Sequence, residues 1–267
     1  MNGKIGFIGV GNMATAIIGG ILRSRIAQSC DLTVYDHLAE KCEVMREKGC
    51  TVAENVCAVA KQCQIVFLAV KPQNYPEVLA ELHGAVTEET VLVSLAAGIS
   101  TAYVAEAAGC ACKVVRVMPN TPLLLGIGAT ALCCSANVSE TERETVAQMF
   151  RTSGIVEFLP EEQMNAIISV NGSSPAYFYL FAKAMLAGAK EQGIDEELAL
   201  RMIAQTMIGS AKMLTESGDS PEELIRKVSS PGGTTLRALD VFGQNGLEET
   251  VKEAMLACTK RAEELGR

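Results

Sequence analysis

The sequence Gly9-Val10-Gly11-Asn12-Met13-Ala14 determines the fold predicted for the first half of this 267-residue chain. It follows an apolar run, Lys4–Val10, that is typical of a β-strand, and it leads into a helical pattern over Asn12–Ser24. The first glycine permits a tight turn, the second lets a phosphate approach the backbone, and the alanine allows the helix to pack closely on the strand. Because the free amides of a helix N-terminus attract anions, this strand, turn and helix predict a dinucleotide-binding fold of the Rossmann type.

Short apolar runs alternate with helical patterns through the first 160 residues. Further strands are expected at Leu32–Tyr35, Thr51–Val52, Ile65–Val70, Val91–Leu95, Lys113–Val117 and Ala129–Cys134, and helices at Leu38–Lys48, Val56–Lys61, Tyr75–Leu82 and Thr101–Ala108. This alternation predicts a parallel sheet with helices on both faces. After Pro160 almost no strand pattern remains, and helices are expected at Ser173–Gln192, Glu196–Glu216, Pro221–Val228, Leu236–Phe242 and Leu247–Glu264. The predicted fold class is therefore α/β, with a Rossmann domain over residues 1–160 and an all-helical domain over residues 161–267.

The ends of the predicted strands mark the edge where a cofactor is expected, because open α/β sheets bind ligands beyond the carboxyl ends of their strands. Small residues after the strand Val91–Leu95 would let a nicotinamide ring lie close to the backbone. The cofactor is expected to be NADPH or NADH. The residues expected to contact it are Gly9, Val10, Gly11, Asn12, Met13, Tyr35, Asp36, Ala69, Val70, Lys71, Pro72 and Ala97.

Asp36 stands directly after the second predicted strand. A carboxylate at this place can bind the ribose 2′-hydroxyl of NAD and repel the 2′-phosphate of NADP. No arginine stands beside it, and only His37 and Lys41 bring positive charge nearby, so the position slightly favours NADH. The alternative is that Asp36 caps the helix that follows.

A second candidate site lies in the helical half, over Val228–Thr235. Two glycines free backbone amides just before a helix expected to begin near Leu236, and such a helix N-terminus suits a carboxylate. The two threonines there either cap this helix or touch a ligand, and a capped loop without a ligand is the alternative for the whole segment. The residues expected to bind substrate are Ser230, Gly232, Gly233, Thr234 and Thr235.

The helical pattern over Pro175–Gln192 is apolar around most of its circumference. A helix of this kind requires burial on several sides. Two interpretations remain open: a second copy of the chain covers the helix in an obligate dimer, or other helices of the same chain cover it.

Composition limits the classes of function. The net charge of −8 and the absence of tryptophan make a nucleic-acid partner unexpected. The ten cysteines form no C-x-x-C pair and only two histidines occur, so no metal site is expected. The cysteines are expected to be reduced thiols, which predicts a cytoplasmic protein. The apolar runs are too short to span a bilayer, so no membrane partner is expected.

These motifs together resemble the pyrroline-5-carboxylate reductase family over essentially the whole chain. The resemblance is carried by Gly6–Ala14, Ala69–Pro72, Ala96–Gly98, Arg116–Pro122, Gly172–Tyr177 and, most specifically, the signature loop Val228–Thr235. It implies NAD(P)H-dependent reduction of 1-pyrroline-5-carboxylate to L-proline. It also implies a helical domain intertwined in a homodimer, and often a ring of dimers. Ser230 to Thr235 would bind the substrate carboxylate, and Thr235, the one residue expected to be catalytic, would contact the ring nitrogen.

Several positions depart from the family pattern. Asn171 and Ser174 replace the usual small serine and glycine, and Asn55 stands about one residue out of register with an asparagine that the family often places near the cofactor. Asp36 stands where members that prefer NADP commonly carry serine, threonine or arginine. The last departure leaves the cofactor preference open without affecting the expected reaction.

Two other functions remain as alternatives. A relative of the β-hydroxyacid dehydrogenases would need a lysine base in the first long helix of the second half, and Lys183 stands there. Its neighbours over Phe178–Leu186 are apolar, however, and reduction of an iminium needs no such base. A non-catalytic nucleotide sensor would keep the glycine-rich turn but would not need the carboxylate loop.

Overall fold

The computed structural model describes residues 4–266. The eight strands among these residues form a single sheet. The strands are β1 (Ile5–Ile8), β2 (Leu32–Tyr35), β3 (Thr51–Val52), β4 (Ile65–Leu68), β5 (Val91–Ser94), β6 (Lys113–Met118), β7 (Gly128–Cys134) and β8 (Gly154–Phe158). Their order is β3-β2-β1-β4-β5-β6-β7-β8, and every neighbouring pair is parallel except β6 and β7. The direction of winding reverses at β1, which leaves a crevice at the carboxyl ends of β1 and β4.

Helices connect the strands and then make up the rest of the chain. They are α1 (Asn12–Arg23), α2 (Ala39–Glu47), α3 (Val56–Gln62), α4 (Tyr75–Leu82), α5 (Thr101–Ala107), α6 (Glu140–Arg151), α7 (Ser174–Glu191), α8 (Glu196–Glu216), α9 (Pro221–Lys227), α10 (Thr234–Gln244) and α11 (Leu247–Leu265). The predicted α/β class with a helical second half is confirmed. Among residues 4–266, no helix combines the length and the apolar character needed to cross a membrane.

Helix α6 and strand β8 are absent from the sequence prediction. Helix α6 begins at a capping box in which Ser139 and Glu142 satisfy each other's backbone amides. Its buried face, which includes Val146 and Phe150, joins the core beneath the sheet. Strand β8 is short and only half-buried, so it lacks the continuous apolar run that marks the central strands.

The core lies on both faces of the sheet and holds the strand ends in register. Phe7 of β1 and Phe67 of β4 stack with ring centroids 4.4 Å apart. In the ladder, Ile8 stands opposite both Tyr35 of β2 and Leu68 of β4. Three adjacent strands therefore end at the same level, and the loops that follow them start side by side.

Contacts divide the chain into two compact units. The first contains the residues up to Ser173 together with those from Ala257 onward, and the second is Ser174–Leu256. The segment between Glu161 and Ser173 belongs to the sheet unit, where Met164 and Ile168 pack in a cluster with Met118 of β6. The domain boundary after residue 160 stays a prediction, at a different place from this division.

Helix α7 has no buried side chain in the described chain. Phe178, Tyr179 and Leu180 are 58%, 65% and 66% exposed. The alternative in which this helix is covered by its own chain is therefore wrong. An apolar surface of this extent on a helix is typical of a protein interface.

Candidate cofactor and substrate sites

The glycine-rich turn joins β1 to α1 at the carboxyl edge of the sheet. Gly9 has φ +92°, and a Cβ placed on it would lie 2.8 Å from the carbonyl oxygen of Ala69. Gly11 is the N-cap residue of α1, and among residues 4–266 no side chain caps this helix. Apart from its chain neighbours, a Cβ on Gly11 would meet no atom of these residues within 4 Å. The turn is therefore tightly packed at Gly9 and open at Gly11, which fits the close approach of a pyrophosphate to a helix N-terminus.

The carboxylate of Asp36 ties the end of β2 to this turn. Its Oδ2 accepts a hydrogen bond from the backbone N–H of Val10 at 2.8 Å, and its Oδ1 accepts one from that of Leu38 at 3.0 Å. Lys41 Nζ is 3.6 Å from Oδ2, and His37 Nδ1 is 3.3 Å from Oδ1. Burial by itself raises the pKa of Asp36, but the two backbone donors, together with the nearby side chains of Lys41 and His37, leave it below its usual value.

Asp36 does not cap the following helix. Leu38 is the N-cap residue of α2, which begins at Ala39 without a side-chain cap. The capping alternative is therefore wrong: the side chain, only 4% exposed, accepts from the N–H of Val10 in the glycine-rich turn and from that of Leu38, which precedes the helix.

A cavity of about 300 Å³ opens beside Asp36. It is lined from the ends of β1, β2 and β4 and from α3 and α4 by Ile8, Gly9, Tyr35, Asp36, His37, Val56, Val70, Asn74, Glu77, Val78 and Glu81. Four of these residues are among the predicted cofactor contacts. Glu77 and Glu81 escaped the sequence prediction, although their spacing on α4 places both on one helix face.

The other predicted cofactor residues lie around the same edge but outside the cavity lining. Asn12 and Met13 form the first turn of α1. Lys71 and Pro72 open a short 3₁₀ turn after β4, and Ala97 lies partly exposed in the turn between β5 and α5. Their contacts with a cofactor stay a prediction.

A buried tyrosine joins the loops that follow β4 and β5. The hydroxyl of Tyr75 donates to the carbonyl oxygen of Leu68 at 2.8 Å and accepts from the N–H of Leu95 at 3.2 Å. It also lies 3.1 Å from Ser94 Oγ. Burial raises the pKa of Tyr75 to about 12, so the hydroxyl stays protonated and serves as a fixed connector.

Two asparagines that depart from the family pattern have structural contacts. Asn55 is the N-cap residue of α3 and accepts a hydrogen bond from the N–H of Ala58 at 2.8 Å. Asn171 lies in a π-helical turn and donates through Nδ2 to the carbonyl oxygens of Met118 and Ala129, at 2.8 and 2.9 Å. It thereby joins the last residue of β6 to β7.

The candidate substrate loop has an open helix N-terminus. The N–H of Gly233 donates to the carbonyl oxygen of Ser230 at 2.9 Å, and Gly232 has φ +72°, so a tight turn precedes α10. Helix α10 begins at Thr234, two residues before the expected Leu236, with Gly233 as an N-cap residue that offers no side chain. Neither threonine caps the helix, and that alternative is wrong.

Thr235 is partly exposed, and its hydroxyl makes no hydrogen bond within residues 4–266. The first amides of α10 have no helical carbonyl as partner, as at the start of any helix. Backbone donors and a hydroxyl are therefore both available to a ligand at this loop.

Comparison with known proteins places the chain in a family. Residues 161–265 match the family model described as pyrroline-5-carboxylate reductase dimerisation, and residues 4–98 match that described as NADP oxidoreductase coenzyme F420-dependent. The chain is 37% identical over 268 residues to the pyrroline-5-carboxylate reductase of Escherichia coli, with 100% of both chains covered. The chain belongs to the pyrroline-5-carboxylate reductase family.

Other members of this family are similar over nearly the same length. The reductase of Pseudomonas aeruginosa is 39% identical over 264 residues, which is 98% of this chain and 96% of the relative. The crystal structure of Plasmodium falciparum pyrroline carboxylate reductase, with NADP bound, has a TM-score of 0.92 and 29% identity, and the match covers 100% of this chain and 99% of that one. The resemblance carried by the sequence motifs is thus confirmed.

Proposed function

We propose that this chain reduces 1-pyrroline-5-carboxylate to L-proline with NADPH or NADH. The observation that carries the proposal is that a member of this family has both an open glycine turn at α1 and an uncapped helix start with a free threonine hydroxyl at α10. The first feature fits a pyrophosphate, and the second fits a carboxylate beside a polar ring atom.

The substrate loop would hold two parts of the substrate. The amides at the start of α10, with Ser230 and Gly232 in the preceding turn, would bind the carboxylate. The hydroxyl of Thr235 would accept a hydrogen bond from the N–H of the protonated imine, and a charged donor strengthens such a bond. Fixing both ends of the small ring orients its C2, the imine carbon.

The chemistry needs little acid–base help from the chain. When bound, the reduced nicotinamide supplies a hydride from C4, which the electron-poor C2 of the iminium accepts, and this carbon becomes C5 of proline. The helical half contains no histidine, so alignment by Thr235 and the loop amides is proposed as its main contribution.

The cofactor would be held by the predicted residues at the carboxyl edge, with Gly11 at the pyrophosphate and Asp36 at the adenosine ribose. The Asp36→Ser variant should raise the ratio of kcat/KM for NADPH to that for NADH, because a negative charge that repels the 2′-phosphate is removed. Both kcat/KM values, for NADPH and for NADH, should fall because the Val10 N–H loses its carboxylate partner. Steady-state kinetics with each cofactor provides the measurement.

The Asp31→Ser variant is the control for Asp36, because it removes an equal charge from an exposed turn outside the cavity. Its cofactor ratio should match that of the wild type. An unchanged ratio in Asp36→Ser would show that Asp36 does not face the ribose.

Besides the substrate, the partner would be another copy of the chain. The apolar, exposed side chains of α7 lie in the segment that matches the dimerisation model, and a homodimer would cover them. We expect light scattering at micromolar concentration to give the mass of a dimer or of a multiple of dimers, the latter if dimers form a ring. A monomer would contradict this prediction.

The cysteines and the net charge bear on the cellular compartment and on the classes of partner. All ten cysteines are free, which is typical of a reducing compartment, and we propose the cytoplasm. The net charge of −8 argues against a nucleic-acid partner. No membrane partner is proposed.

Two substrates distinguish the proposed reaction from the β-hydroxyacid dehydrogenase alternative. Oxidation of NADPH or NADH should depend on 1-pyrroline-5-carboxylate and should yield proline. The oxidised cofactors should not be reduced with 3-hydroxyisobutyrate. The reverse pattern would favour the alternative, and activity with neither substrate would favour a nucleotide sensor.

A further inference from the structure

Glu161 follows β8 and reaches the first residue of α5, sixty positions away in the sequence. Its Oε1 accepts a hydrogen bond from the backbone N–H of Thr101 at 2.7 Å, and its Oε2 accepts one from the hydroxyl of Thr101 at 2.6 Å. Hydrogen bonds to a carboxylate are roughly twice as strong as those between neutral groups. This double contact therefore fixes where the turn between β5 and α5 ends.

A buried arginine approaches Glu161 from β6. The side chain of Arg116 is 2% exposed, and its Nη1 lies 3.8 Å from Oε1 of Glu161. Its Nη2 donates to Oδ1 of Asn165 at 2.6 Å, while its Nε has no hydrogen-bond partner among the described residues. Burying an arginine with an unsatisfied N–H costs free energy that an apolar side chain would not cost. Stability alone is therefore a weak reason for this arrangement.

The middle and the start of the same turn are also fixed. Gly98 has φ +84°, and a Cβ on it would collide with the carbonyl oxygen of Ala262 in α11. A Cβ on Gly266 would collide with the carbonyl oxygen of Gly98, so the two backbones touch. At the start of the turn, the hydroxyl of Tyr75 holds the N–H of Leu95. The turn is thus attached at three points, and the attachment through Glu161 is the one that uses charge.

We propose that Glu161 is a positioning residue for hydride transfer. Through Thr101 it sets the position of the turn Ala96–Gly98, whose small residues are expected to lie beside the nicotinamide ring when the cofactor of the proposed function binds. The inference rests on that function and extends it, because Glu161 would act without touching cofactor or substrate. Displacing a reacting group by about 1 Å can cost roughly 100-fold in rate, so a small shift of this turn has a measurable effect.

Glu142 offers a matched control at the other edge of the sheet. Its carboxylate accepts hydrogen bonds from the N–H and the hydroxyl of Ser139, at 2.9 and 2.7 Å, and from Lys113 Nζ at 2.9 Å. It therefore makes the same kind of contact, with a helix start and a cation from β6. Lys113 begins β6, so this contact lies at the amino end of the strand, away from the cofactor edge.

The experiment compares kcat, both KM values and the melting temperature for the wild type, Glu161→Ala and Glu142→Ala. Glu161→Ala should lower kcat by roughly 10- to 100-fold at saturating cofactor and substrate, with a smaller change in either KM. Glu142→Ala should lower the melting temperature but keep kcat within about two-fold of the wild type, because its contact is structural. Milder variants keep the test valid if Glu161→Ala fails to fold: Thr101→Ser should retain kcat, and Thr101→Val should lower it.

Two contrary outcomes are distinguishable. If the wild type reduces the imine and Glu161→Ala keeps full kcat while melting earlier, Glu161 is only structural and the positioning role is overturned. The same holds if Glu142→Ala lowers kcat as much as Glu161→Ala does. If the wild type itself does not reduce 1-pyrroline-5-carboxylate, the proposed function fails and the positioning role fails with it.

Discussion

Replacing Thr235 with valine should lower kcat/KM for 1-pyrroline-5-carboxylate by roughly 10- to 100-fold, because one hydrogen bond to a charged group contributes about 1.5–3 kcal/mol. Valine keeps the branched shape and removes only the hydroxyl. The hydroxyl has no partner in the described chain and Gly233 is the N-cap residue, so its loss should hardly change the free energy of unfolding. Steady-state kinetics and thermal melting of the same variant separate these two effects.

The Thr235→Ser variant retains the hydroxyl and should keep most of the activity. Affinity for the reduced cofactor, measured by fluorescence titration, should be unaffected in both variants, because the glycine-rich turn belongs to the other unit. Full activity of Thr235→Val would mean that the loop amides alone hold the substrate and that Thr235 has no role in the reaction.

Replacing Gly11 with alanine should weaken binding of NADPH and NADH by roughly 100-fold while the protein folds normally, because the added methyl group would displace the pyrophosphate from the backbone. The structure makes this test specific. Apart from its chain neighbours, a Cβ on Gly11 meets no atom of the described residues within 4 Å, so the substitution causes no clash among them. The same change at Gly9 would be ambiguous, because a Cβ there would press against the backbone of Ala69 and force strain at positive φ.

Gly19→Ala is the matched control, since it adds the same methyl group two turns further along α1. Beyond the backbone of α1 itself, the described residues place only the far end of the Arg23 side chain near the added methyl group, and that end can move aside. This variant should bind cofactor like the wild type and be slightly more stable, by about 0.5–1 kcal/mol. Equal cofactor affinity for Gly11→Ala and the wild type would mean that the pyrophosphate does not lie at this turn.

Local patterns predicted most of the fold. The bounds of β2, β3, α4 and α8 agree with the sequence prediction, because each is marked by a continuous periodic pattern or by clear end signals. The sequence prediction lacks helix α6 because charged residues dominate its first half and its buried apolar face is narrow. The sequence predicts the start of α10 two residues late because side-chain caps such as threonine lead at N-cap positions, whereas here the turn from Ser230 makes Gly233 the cap.

The sequence predicted the candidate sites less completely. Motif residues at strand ends, such as Gly9 and Asp36, follow from the topology of an open parallel sheet. The contacts of Glu161 with Thr101 and Arg116 join segments far apart in sequence and follow only from tertiary packing. In the same way, no local pattern indicates that the carboxylate of Asp36 accepts a hydrogen bond from the N–H of Val10.

Deuterium transfer tests the central claim most directly. The protein is incubated with 1-pyrroline-5-carboxylate and NADPH that carries deuterium at C4, on one face of the nicotinamide or on the other, and the product is examined by mass spectrometry and NMR. The proposed function predicts one proline for each cofactor oxidised. The proline carries a single deuterium at its C5 from one labelled face and none from the other. Absence of proline with both NADPH and NADH, or proline without deuterium at C5 from either labelled face, would contradict it.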